Sequence, residues 1–166
     1  MGTVSASVAE RQLKLVPWDT LESGDGPDAA TVARDLGLLL FAAADVDDGA
    51  YERLENMIES QGYLFECAPA AVSVIVAAAT EGSIQHAALA PSLDVLGRIV
   101  GPCSAPPSPE PKQNRLREAC RAEAMRGYWA LIRIAMERDR YSAWAVAESV
   151  LAVLDEEHSR AILNEE

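Results

Sequence analysis

The sequence predicts an all-α fold, and three observations carry that prediction. Apolar residues recur at three- and four-residue spacing through most of the 166 residues. No segment sustains the period-two alternation of a half-buried strand. Alanine is abundant, while Phe, Trp and Tyr together make only 5% of the chain, a balance that suits closely packed helices better than sheets. The expected architecture is stacked antiparallel helix pairs, about six to eight helices in units of roughly 30 to 45 residues. The length suffices for one substantial core. It divides into a flexible N-terminal tail at residues 1–15 and a single helical domain at 16–166, which contains a proline-rich loop at 101–111.

Along the chain, Trp18 and Leu21 mark a short helical turn. The run Ser23-Gly24-Asp25-Gly26-Pro27 is a loop. Asp28 is suited to cap a helix over 28–44, with Val32, Leu36, Leu39 and Leu40 on one face. Asp47 or Asp48 caps the next, which turns Tyr51, Leu54, Met57 and Ile58 inward and Glu52, Glu55 and Glu59 outward. Gln61-Gly62 ends it, with glycine as the left-handed stop. Pro69 fits a first helical turn, and 70–79 is apolar nearly all round, which marks a buried helix ended by Glu81-Gly82. Ser83 begins a helix that Pro91 kinks or splits. Five prolines within 101–111 make an extended loop. Beyond it one long helix is expected over 113–138, loosened at Gly127. A last helix follows Ser142, with Trp144, Ala147, Leu151 and Leu154 inward and 155–166 adding a turn or two.

Charge is divided unevenly. Residues 1–110 hold 5 Lys/Arg against 16 Asp/Glu, a net of −11, whereas residues 111–166 hold 9 against 10, a net of −1. Phosphate backbones and anionic membranes need clustered basic residues, so neither nucleic acid nor a membrane surface fits as partner. No apolar run of about 18 residues and no basic-then-apolar leader is present, and three cysteines without CxxC spacing suit reduced thiols, so a cytoplasmic location is expected. The acid excess fits a basic protein partner. The plainer account is solubility alone.

Two stretches resemble actinobacterial HEAT-repeat proteins. They are Tyr51-Glu-Arg-Leu-Glu-Asn-Met-Ile, and Gln61-Gly-Tyr-Leu-Phe-Glu-Cys-Ala-Pro-Ala-Ala-Val-Ser-Val-Ile. In that family a helix closes on a His-Gln-Gly turn and a Tyr-x-Ala-x-Pro-Ala-Val-Pro-Phe-Leu helix follows. Pro17-Trp18-Asp19-Thr20-Leu21 and Gly26-Pro27-Asp28 are similar to its opening. The chain departs from the pattern at Ser60, where the family often has His, and at Ser73, where it often has a second Pro. Residues 139–143 only approximate the Asp-x-x-x-Arg-x-x-Ala turn. The resemblance implies an α-solenoid that works by presenting a surface, with no catalytic residues. Several small bacterial proteins of this type act as immunity proteins that neutralise toxins.

Motifs for chemistry are few. Asp45, Asp47 and Asp48 precede Gly49, but the remaining calcium-loop positions fail, with Ala50 at the glycine and Asn56 at the closing Glu. His86 and His158 have no ligand pair, so no metal and no cofactor is expected. Cys67 lies near a helix N-terminus, where a thiolate would be favoured. Cys120 falls on an apolar stripe and Cys103 in the proline-rich loop. Trp18, Trp129 and Trp144 are expected in the core. The arginines at 115, 117, 121, 126, 133, 138 and 140 are expected to pair with Glu118, Glu123 and Glu137 or, in a sharper version, to form a small basic stripe. The sequence therefore favours a non-catalytic interaction module, a monomer or weak homodimer, that offers Asp45, Asp47, Asp48, Glu52, Glu55 and Glu59 to a basic partner such as a toxin domain. The alternative is a helical small-molecule-binding or enzymatic domain with a pocket near Cys67 and His86.

Overall fold

The computed structural model describes residues 6–42, 48–101, 110–138 and 142–163. Over these the chain is all-α. The helices are α1 (Val8–Leu15), α2 (Ala30–Phe41), α3 (Asp48–Ile58), α4 (Ala68–Glu81), α5 (His86–Val100), α6 (Pro111–Arg126), α7 (Tyr128–Met136) and α8 (Ala143–Leu163). A single 3-10 turn lies at Trp18–Thr20, and a small hairpin pairs β1 (Glu59–Ser60) with β2 (Tyr63–Leu64).

Helix α4 is the centre. Pro69 sits in its first turn and Gly82 closes it in the left-handed conformation, φ 67°. Between them Ala71, Val72, Val74, Ile75, Val76, Ala78 and Ala79 are all buried, so more than one face of the helix must be covered. Helices α1, α2, α5, α6 and α7 supply the cover. A second junction packs α8 against α7 and α5, with Val150, Leu151 and Leu154 meeting the core. Helices α2 and α3, and α7 and α8, pack as neighbours in sequence. Contacts of α1 with α4 and of α5 with α8 join helices three apart in the chain.

Five local outcomes differ from expectation. Residues 8–15, assigned to the loose tail, form α1. Ser7 and Glu10 make a reciprocal capping box, and the Glu81 carboxylate accepts the backbone N–H groups of Val8 and Ala9 at 2.7 and 3.1 Å. The expected helix over 28–44 begins at Ala30, where the Asp28 carboxylate accepts the Ala30 N–H at 2.6 Å. Its last predicted residues lie outside the described ones. Gln61-Gly62 does not stop α3 but turns the hairpin: both have positive φ, 51° and 87°, the requirement of a type I′ turn. The fourth outcome is α5, which begins at His86 rather than at Ser83 and is not split at Pro91. Finally, α8 reaches Leu163 within the expected C-terminal extension but is broken at Asp155, whose φ and ψ are −159° and 85° and whose carboxylate accepts the His158 N–H.

The largest revision is the long helix over 113–138. It divides at Gly127 into α6 and α7, because the corner lies against α4 so tightly that a Cβ on Gly127 would stand 2.7 Å from Val76 Cγ1. No descriptor of local helix propensity contains that contact. Gly127→Ala is expected to destabilise the fold by about 1–3 kcal/mol through overpacking. Adding Val76→Ala should recover part of the loss, read as the melting temperature of both variants. A single variant that melts with the wild type would rule the contact out as the cause of the corner.

Candidate functional site

The acidic surface is built by a loop fastened to α3. Ser23 and Gly26 bridge the loop's neck, the Ser23 hydroxyl donates to the Asp28 carbonyl at 2.9 Å, and Gly24 N–H donates to the Met57 carbonyl at 2.9 Å. This sets exposed Asp25 beside exposed Glu52 on the rim of one shallow depression of about 350 Å³, together with Gly49, Arg53, Asn56 and Met57. Among the described residues neither Asp25 nor Glu52 is in an ion pair.

Arg53, the cation on this rim, is held from behind. Asp35 of α2 is fully buried and accepts Arg53 Nε at 2.7 Å and Nη2 at 3.2 Å, with Arg34 Nε at 3.1 Å. Burial pushes the Asp35 carboxyl up, but the hydrogen bonds from Arg53 and then Arg34 outweigh it and hold the group below its usual 3.8. The arginine charge is thus matched inside the protein, and the rim carboxylates keep theirs.

The six acidic residues singled out from sequence fare differently. Asp45 and Asp47 lie outside the described residues, and Asp48 opens α3 with its side chain likewise outside them. Glu52 is exposed on the rim. Glu55 is only 21% exposed and pairs with Arg98 Nη2 at 2.9 Å. Glu59 is half-buried in the hairpin, where its Oε1 accepts the Gly62 N–H. Asp25 was not singled out. The signal for it was a carboxylate at the tip of a Gly-flanked turn, but only the Gly24–Met57 bond carries that tip to α3.

A second concavity, a cleft of about 570 Å³, lies between the hairpin, α5 and α8, with Arg117 of α6 at one end. The hairpin that bounds it is clamped by α6. Buried Gln113 accepts the Leu64 N–H at 2.9 Å and donates to the Leu64 carbonyl at 3.0 Å, so its side-chain amide serves as a short third strand. One turn on, Arg117 Nη2 donates to the Gly62 carbonyl at 3.2 Å. Lys112 bridges Glu22 and Glu66 at 3.0 and 2.9 Å.

Cys67 is not among the described residues that line this cleft. Cys67 is buried with Sγ 3.6 Å from the Met57 carbonyl, and burial pushes its thiol up to about 12, so the thiolate favoured by its helix-end position does not form at neutral pH. The side chain of His86 lies outside the described residues. Cys120 is buried on α6 with its thiol likewise pushed up to about 12 by burial. Among the described residues no three His, Cys, Asp or Glu side chains are grouped to hold a metal ion.

The tryptophans divide. Trp18 is buried and donates Nε1–H to the Leu13 carbonyl at 2.7 Å. Trp144 is half-buried with the Arg138 guanidinium 4.2 Å from its ring centre. Trp129 is 67% exposed, against the expectation of a core position, because the bend at Gly127 turns Tyr128, Leu131, Ile132 and Ala135 inward and leaves 129 outside. The arginines of α6 and α7 act largely as carbonyl caps. Arg121 donates to Val153 and Leu154 at the break in α8, and Arg133 to Ala79 near the end of α4. Of the expected pairings with Glu118, Glu123 and Glu137, the described residues show Arg126 with Glu123 at 3.2 Å. Arg140 lies outside them.

Two tests follow from these bonds. Asp35 has a lowered folded pKa, so its contribution to stability is fully present above the unfolded value and is lost as pH falls through 3.8 and below. Asp35→Ala should cost about 2 kcal/mol at neutral pH, less than the ~3–5 of a fully buried pair because Arg53 is half-exposed and can rehydrate. The difference from wild type should shrink in urea melts run below pH 4. Gln113→Ala leaves two buried backbone groups of Leu64 unmatched and should cost about 1–3 kcal/mol, with faster amide hydrogen exchange at Leu64. Unchanged exchange there would refute the clamp.

No protein-family model, no curated protein and no solved structure matches this chain.

Proposed function

We propose that the protein is a non-catalytic interaction module whose acidic depression, rimmed by Asp25 and Glu52, docks a basic protein. The observation that carries this reading is the pairing on one rim of two exposed carboxylates with no cationic partner among the described residues, while the neighbouring Arg53 is committed to buried Asp35. Carboxylates in that state lose little when a lysine or arginine arrives, and the −11 excess of residues 1–110 steers such a partner from a distance. The resemblance to HEAT stacks supports the same class of function, since such stacks work through surfaces. In its sharper form the partner is a basic toxin domain, for instance a nuclease, which this protein neutralises by covering its cleft.

Free Cys67 and Cys120 in the core support a reducing compartment such as the cytoplasm. Among the described residues no helix is long and apolar enough to cross a membrane.

The test is capture from the native host at low salt with wild type and with the double variant Asp25→Lys/Glu52→Lys. A basic protein should be retained by the wild type and released as salt rises. Its association rate should fall about tenfold or more with the double variant at low salt. Equal capture by both proteins would remove this rim from the interface.

A further inference from the structure

We propose that the cleft between the hairpin, α5 and α8 binds a small zwitterion with an apolar body, of the amino-acid and dipeptide class. Among the described residues the cleft shares no lining residue with the acidic depression, so the two readings stand or fall separately. Its volume, about 570 Å³, lies within the roughly 300–1,000 Å³ of small-molecule sites.

The lining is segregated. One wall is apolar: Val146, Val150 and Val153 recur at four- and three-residue spacing along α8, and Ala145 of α8 and Ile99 of α5 line the cleft with them. The hairpin end carries one anion and one cation fastened to the same residue. Glu59 Oε1 accepts the Gly62 N–H, and Arg117 Nη2 donates to the Gly62 carbonyl at 3.2 Å. Neither side chain is in an ion pair among the described residues. The second carboxylate oxygen of Glu59 and the remaining guanidinium N–H groups of Arg117 are therefore the groups a ligand would meet there.

The other two charges among the described lining residues are already satisfied. Arg98 pairs with Asp94 at 3.3 Å and with Glu55 at 2.9 Å, and Asp94 also accepts the Tyr51 hydroxyl. A ligand bearing only a carboxylate would meet Glu59 and a chain of net charge −12. A ligand bearing only an ammonium would meet Arg117. A molecule carrying both groups matches both, its carboxylate on the planar guanidinium and its ammonium on Glu59, with the apolar part along α8.

The experiment is titration of ¹⁵N-labelled full-length protein with L-leucyl-L-phenylalanine and with free L-phenylalanine, followed by amide shifts. Saturable shifts at Gly62, Gly97, Val146 and Val150 are expected at millimolar concentration or below. N-acetylation or C-amidation of the dipeptide should weaken binding about tenfold each, since each removes one charge-assisted contact. Arg117→Gln should weaken it similarly. Because Arg117 also holds the hairpin, Ser149→Trp provides the second arm. Ser149 is exposed, lines the cleft and donates only to the Ala145 carbonyl of its own helix at 3.0 Å. The indole should fill the cleft and abolish binding with the melting temperature unchanged. It should leave capture of a basic partner intact. Absence of saturable shifts with both ligands, or equal affinity for the capped and uncapped dipeptide, would overturn the proposal.

Discussion

Everything in this fold answers to the burial of α4. A helix whose Ala71, Val72, Val74, Ile75, Val76, Ala78 and Ala79 are all removed from water has little polar face to spare. Each buried Val or Ile stabilises by about 1.5–3 kcal/mol only if a neighbour covers it. The alanines among them keep the surface smooth and low, which lets the covering helices come close. Five helices do so, and two of the closest approaches leave no room for a side chain or a slack end. The corner between α6 and α7 brings Gly127 so near Val76 that an added Cβ would stand 2.7 Å from its Cγ1. The start of α1 is fixed by Glu81, which stands at the C-terminal end of α4, where a carboxylate is poorly placed for its own helix dipole and well placed for the N-terminus of α1.

The same demand explains the hairpin. Only Glu59–Ser60 and Tyr63–Leu64 pair, far too little to hold as an isolated hairpin. It persists because α6, itself packed on α4, offers Gln113 and Arg117 one helical turn apart to the exposed edge. A side-chain amide has the same donor–acceptor pair as a peptide group, so it ends the sheet without a further strand. Two of the charged groups that line the larger cleft are consequences of this clamp, since Glu59 and Arg117 both bond to Gly62.

How much of this the sequence carried depends on the range of the interaction. The all-α class, the apolar α4, its first-turn Pro69 and its closing Gly82 were legible, because each rests on residues within one or two turns. The capping spacing of Ser7 and Glu10 was also present, but a helix of eight residues is marginal alone, and it persists through packing on α4 and through Glu81, more than seventy residues away, at its N-terminus. Gln61-Gly62 satisfies both a helix stop and a type I′ turn, and strands of two residues leave no periodicity by which to choose. The division of α6 from α7 rests on Val76, which no window around Gly127 includes. Among the candidate site residues, counting acids placed Glu52 correctly on a surface. It did not find that Glu55 is spoken for by Arg98 or that Asp25 is brought to Glu52, because pairing across the fold is invisible to a tally of charge.

Net charge is therefore a poor guide to where a partner would dock, and the pattern of neutralisation is a better one. The N-terminal excess is spread over many carboxylates, yet several of those described are already engaged: Asp35 with two arginines, Glu22 and Glu66 with Lys112, Glu55 and Asp94 with Arg98, Glu81 with the backbone of α1. Such groups add to the far field but would have to break existing bonds to add to a contact. Asp25 and Glu52 contribute to both. The buried Asp35 matters here at a distance, since it accepts two N–H groups of Arg53, the cation that shares the rim with Glu52. A carboxylate in the core thus keeps two carboxylates on the surface available.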